Sequence, residues 1–155
     1  MSNLIYNTGL GEIQDSDLDW ETAVVCMLLE RSISSYTPDK DHDYLDSFTG
    51  GGGVEISVAS YARRTLTNCS VVVNKADDQI EFHCSNIAFG SLEAGQVVKS
   101  MMVYLQVGGD DSTPEDDVLL FYIDTDFNTM LPISLGGGAF NITVNGQGLV
   151  KFAQA

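Results

Sequence analysis

Three groups of side chains in this chain have the types and spacing from which chemistry could be built. The first is Asp39-Lys40-Asp41-His42-Asp43. Alternating carboxylates open a calcium loop, because a hard cation wants several oxygens on one side of a turning backbone. The pattern stops there. Its sixth position is Tyr44 in place of glycine, and its twelfth is Gly50 in place of Glu. Asp15, Asp17 and Asp19 begin the same way, with Trp20 and Cys26 at those two places.

The second group is Asp110, Asp111, Glu115, Asp116 and Asp117. A pair of carboxyls can cleave a glycosidic bond, but one of them must then sit in an apolar site with a raised pKa. Acids crowded on a Gly/Ser/Thr/Pro loop are expected in water instead, where they deter pairing between strand edges. The third group is the imidazoles of His42 and His83. In the alternation Phe82-His83-Cys84, His83 leaves its strand on the opposite face from its neighbours, which suits a structural role. Gly90-Ser91-Leu92 is no nucleophile elbow, and Gly9-Leu10-Gly11 is a fragment of a dinucleotide fingerprint without its strand. No catalytic residue, cofactor or metal ligand is expected. Cys26, Cys69 and Cys84 form no CxxC pair, and no secretion signal opens the chain. Three reduced thiols packed as small apolar side chains follow, in a protein made in a cytosol. The glycosylation sequons at Asn68 and Asn141 are then chance matches.

Charge narrows the partners. The 155 residues carry 22 Asp and Glu against 7 Lys and Arg, a net charge of −15. Such a chain is repelled by nucleic acid and by anionic membranes. No apolar run approaches the roughly 20 residues that span a bilayer. The one adjacent pair of bases, Arg63-Arg64, is no basic patch, since neighbours in a strand face opposite sides. The two arginines are expected to make specific ion pairs with acidic loops, of this chain or of a partner.

The elements that must position these groups are mostly strands. Apolar runs at 22–30, 97–107 and 118–123 have the length and composition of buried strands. Alternation marks strands at 54–58 and 79–85, residues 61–67 and 71–74 are strand-like, and Lys75-Ala76-Asp77-Asp78 is the turn of a hairpin. Glycine turns lead into strands at 140–144 and 149–152. One helical turn is expected between Asp41 and Phe48, with Tyr44, Leu45 and Phe48 on one side. The glycines at 50–53 read as a flexible hinge or loop tip. Residues 4–14 fit either a short helix, weakened by Gly9 and Gly11, or an extended arm. The expectation is therefore one all-β domain over 1–155. It is mainly antiparallel, a sandwich or barrel of about eight to nine strands with minor helix. An N-terminal arm at 1–14 would carry Leu4, Ile5 and Tyr6, which either dock on a partner or pack on their own domain.

Several segments resemble stretches that recur in small proteins of tailed bacteriophages. They are Tyr6-Asn7-Thr8-Gly9 followed by Asp19-Trp20, Ser35 to Asp43, Tyr61 to Leu66, Leu119 to Asp124, and Gly148 to Phe152. The four-glycine loop departs from that pattern. The resemblance implies a virion structural protein, and within the virion a head decoration or cement protein. Such a protein binds the major capsid protein or another virion protein, as a homo-oligomer for which a trimer is the expectation. Net charge −15 suits the outer head surface better than the DNA-facing interior. A tail or neck component of the virion is the alternative. A carbohydrate-binding β-domain is a second, resting on exposed aromatics of which Trp20 is the one tryptophan.

Overall fold

The computed structural model describes residues 4–14, 19–20, 23–124 and 131–153. In chain order they form β1 (Leu4–Ile5), α1 (Asn7–Gln14), β2 (Val25–Arg31), α2 (Leu45–Gly50), β3 (Arg64–Thr65) and β4 (Ser70–Asn74). Then come β5 (Gln79–His83), β6 (Ile87–Ser91), β7 (Val97–Leu105), β8 (Val118–Ile123), β9 (Ile133–Ser134), β10 (Ala139–Ile142) and β11 (Val150–Ala153). Every ladder between them is antiparallel. The fold is the expected sandwich-like all-β class.

The three apolar runs become the centre. In a six-stranded sheet of order β1-β8-β7-β2-β3, with β9 also on β7, the strands β2, β7 and β8 lie side by side. Their near-continuous apolar sequence has a cause: both faces of this sheet are covered. One face, with Val25, Met27, Leu29, Val103 and Leu120, packs against the smaller sheets β10-β6 and β11-β5-β4 through Phe82, Phe89 and Phe140. The other face, with Cys26, Leu28, Met102, Tyr104, Leu119 and Tyr122, is closed by Tyr6, Tyr36, Leu45 and Phe48.

Two irregularities aim side chains. The register of β7 against β8 shifts at Val103/Tyr104, passing over Leu120. Adjacent Leu120 and Phe121 therefore both enter the first core, where strict alternation would send one away. The register of β2 against β7 shifts at Glu30/Arg31, passing over Lys99. That bulge lets neighbouring Lys99 and Ser100 both reach Glu30.

Several expectations change. Residues 54–58 form no strand. Glu55 bridges Glu30 and Ile56 N–H bonds to Leu29 O, after which the chain turns at Val58–Tyr61. The outer edge of β2 is thus shared by two short pieces, and only Arg64–Thr65 of 61–67 is a strand. β6 and β9 were not expected: Ala88, Gly90 and Ser91 have low strand propensity, and pairing with β10 overrides it. Tyr44 does not join Leu45 and Phe48 inside but caps α2 half-exposed. The glycines 50–53 are no flexible tip. They finish α2, with Gly53 N–H on Phe48 O at 2.8 Å and Gly52 at φ +82°. A Cβ at Gly53 would fall 2.4 Å from the Phe48 ring. Residues 4–14 combine both alternatives, a two-residue strand and then a helix.

Candidate functional site

Hydrogen-bonded ionisable side chains form three clusters, each tied to the strands that carry it. The first is buried between the central sheet and its helical cover. Glu30 has no exposed surface. Its Oε2 accepts from Tyr122 Oη at 2.7 Å and from Ser100 Oγ, and its Oε1 from Lys99 Nζ at 3.4 Å. Nearby, the Tyr6 and Tyr36 hydroxyls bond at 2.9 Å, and Tyr36 Oη meets His42 Nδ1 at 2.9 Å. Burial drives both phenols up, Tyr36 to about 12, so they stay protonated as hydrogen-bonding struts.

The second cluster lies beyond β3. Arg63 grips Glu55 in a fork, Nε at 3.0 Å and Nη2 at 2.9 Å, and its Nη1 lies 3.4 Å from Asp111. Tyr61 donates to Glu55 at 2.6 Å while accepting the Leu29 N–H at 2.9 Å. Tyr104 donates to Asp111 at 2.6 Å. Burial lifts the Asp111 carboxyl, but bonds from Tyr104 and Gln106 and the Arg63 charge hold it below its ordinary value. Desolvation works against the Arg63 charge, and Glu55 more than restores it. Asp117 is fully buried: its Oδ1 accepts the Val107 N–H at 2.8 Å, and its Oδ2 has no hydrogen-bond partner among the described residues.

The third cluster is on β5. Glu81 accepts from Asn74 Nδ2 at 2.9 Å and Gln79 Nε2 at 2.6 Å, and lies 2.8 Å from His83 Nε2. These neighbours, and not the core, cover it. Their hydrogen bonds hold its carboxyl down at about 2.

The residues singled out in sequence fall as follows. Leu4 and Ile5 pair with Tyr122 and Phe121 of β8, and Tyr6 is fully buried in its own domain. Arg63 and Arg64 do face opposite sides: Arg63 lies over Tyr104, Arg64 over the Phe89 ring with a bond to Phe89 O at 3.0 Å. Both are engaged within their own chain. Asp41 and Asp43 lie exposed on a turn capped by Asp39, whose Oδ1 accepts the Asp41 N–H at 3.1 Å. They accept from Asn7 and Thr8 and so clamp the first turn of α1, where negative charge is favourable. Of the loop at 110–117, Asp117 is buried, while Asp111 stays exposed and bonds Tyr104 and Gln106. Asp15 and Asp17 lie outside the described residues. Among the described residues, no group of three His, Cys, Asp or Glu side chains is disposed to hold a metal ion. Burial raises all three thiols, Cys84 to about 12 with help from Cys69, which makes them poor nucleophiles. Trp20 is buried against Phe82 and Phe121, its Nε1 on His83 O at 3.2 Å, and presents no stacking face to a sugar.

Sequence reasoning missed Glu30, whose signal was an acid closing an apolar run. It also missed a cluster of exposed apolar side chains. On β4, Val71, Val72 and Val73 are 44%, 42% and 63% exposed, and Ile80 beside them is 43% exposed. A groove of about 280 Å³ runs along Val73, Ile80 and Phe152 at this tip. The signal there was three valines in a row, an edge with no polar side.

The chain matches no protein-family model, no curated protein and no solved structure.

Proposed function

We propose that this chain is a non-enzymatic structural protein of a tailed-bacteriophage virion. Within it, the reading is a head decoration or cement protein, made in the host cytoplasm and bound to the outer face of the shell. The observation that carries the reading is how this surface is divided. Ionisable groups of the three clusters are closed on one another, loops elsewhere carry excess acid, and one uncharged valine strand is left open at a sheet edge. That is a surface for adhering, in a molecule whose polar groups serve its own fold. The sequence resemblance points the same way. A cement protein stabilises a shell by binding only its assembled state.

The test is imaging of particles made with and without this protein, with heat resistance measured alongside. Regular density on the outer head, lost together with heat resistance when the protein is absent, is expected. Unchanged shells and unchanged resistance overturn the reading, and a ring of density at the neck or tail replaces it with the alternative placement.

A further inference from the structure

Sheet edges are ordinarily blunted by shortness, bulges or charge, because an open edge recruits another strand. Most edges here follow that rule. β1, β3 and β9 have two residues each. β10 is bulged between Phe140 and Asn141, β6 holds Gly90 at φ +77°, and β11 presents Lys151. β4 is the exception among the described residues. It runs five residues in unbroken register with β5, from Ser70↔His83 to Asn74↔Gln79, and carries no charge. Its opposite edge meets no backbone group of another described element. Successive residues of a strand face opposite sides, so three exposed valines leave apolar surface on both faces of this edge.

We propose that this edge pairs with the same edge of a second copy, antiparallel, about a two-fold axis through Val72. The sequence of β4 is self-complementary in that register. Ser70 falls opposite Asn74 of the second copy, Val71 opposite Val73, and Val72 opposite itself. Directly opposed residues share a face, so the Val71 and Val73 side chains of both copies continue the apolar row of Ile80 and Phe152. No like charges meet at the seam. Lys75 of one copy lies beyond Asn74, opposite Cys69 of the other. Elsewhere the net charge of −15 opposes approach of a second copy, which directs self-association to this neutral strand. The seam is small beside the ~800 Å² per partner of a stable complex, so pairing depends on concentration. Salt strengthens it by screening the repulsion between the two acidic bodies. The inference does not rest on the virion reading but draws on the same open edge, which a second copy and another virion protein would compete to cover, and it closes as a dimer where that reading suggests a trimer.

Sedimentation velocity of the full chain from micromolar to millimolar concentration tests this. The average mass is expected to rise from one chain toward two, further with added salt, and amide exchange at Val71–Val73 to slow as it does. Val72→Lys places like charges directly opposite each other at the axis, Val73→Lys independently places them on the diagonal across it, and each is expected to weaken association by up to about fivefold. Both positions are over 40% exposed, so the fold tolerates at least one of them, as circular dichroism and melting will report. A chain that stays single at every concentration overturns the proposal, even if a strand of another protein binds β4. So does association that both folded variants retain, or that leaves exchange at β4 unchanged.

Discussion

At the scale of single residues, the acids divide by the sign of their pKa shift, and the sign gives a test. Hydrogen bonds from Asn74, His83 and Gln79 lower the Glu81 carboxyl from its ordinary 4.5 to about 2. The folded state therefore binds this proton less tightly than the unfolded chain. The resulting stabilisation is complete above the ordinary value and is lost as pH falls from 4.5 through about 2. Glu81→Gln is expected to lower stability at neutral pH, with the deficit closing as the wild-type carboxylate is protonated. Denaturant unfolding across that range reads the difference, and a deficit equal at every pH would show that the carboxylate charge is not what matters. Little of this cluster was legible in sequence. Alternation placed Glu81 and His83 on one face, but their bond to each other and to Asn74 depends on the hairpin register. Arg63 and Arg64 were legible to the same depth. Period two separated them, while the identity of Glu55, Asp111 and Phe89 as their partners came from chain crossings no local pattern records.

At the scale of elements, the contact of α1 with β8 turns on one atom that is missing. A Cβ at Gly9 would stand 2.5 Å from Leu119 O and 2.8 Å from Leu120 Cα, both backbone and unable to swing aside. The glycine pair that looked like a broken nucleotide fingerprint thus has a packing reason at its first member. The second has none: a Cβ at Gly11 meets nothing within 4 Å. Opposite outcomes are expected from the same substitution. Gly9→Ala forces the helix off the strand, at about 1–3 kcal/mol as in overpacked cores. Gly11→Ala gains roughly 0.5–1 kcal/mol of helix propensity. Thermal melts of the two variants measure this, and a Gly9→Ala protein as stable as its parent would mean that the helix does not sit as closely as described. Strands whose apolar run or alternation is long, β2, β5, β7 and β8, were legible because the signal is carried within the segment. β9 and β6 were not, since their strand character comes from the neighbour they pair with, and β3 was legible only as part of a longer run. The bulges at Lys99 and Leu120 were equally hidden, although they decide which side chains reach Glu30 and which enter the first core.

At the scale of the whole molecule, excess acid and the buried Asp117 act in the same direction, opposite to Glu81. Burial raises the Asp117 carboxyl, the Val107 N–H opposes that rise, and the charges of Asp111 and Asp116 add to it. The folded state therefore holds this proton more tightly than the unfolded chain does. Its ionised form opposes folding above the raised pKa, and protonation relieves that opposition as pH falls toward it. Repulsion among 22 acids and only 7 bases has the same sign, since a compact body holds like charges closer than an open chain. Stability is thus expected to climb as pH falls toward the raised Asp117 value, and to fall once Glu81 and the other lowered acids, Asp110 and Asp111, take up protons. Asp117→Asn is expected to flatten the climb and leave the acid fall in place. Salt separates the two contributions to the climb. Repulsion across the surface is screened within a Debye length of about 8 Å at physiological ionic strength, whereas a buried carboxyl is screened far less. At neutral pH, added salt is expected to raise the unfolding midpoint of wild type and of Asp117→Asn by equal amounts. A midpoint that fell with salt would mean that local pairs such as Arg63–Glu55, 2.9 Å apart, outweigh the repulsion. The acidic surface would then be part of what holds the fold together.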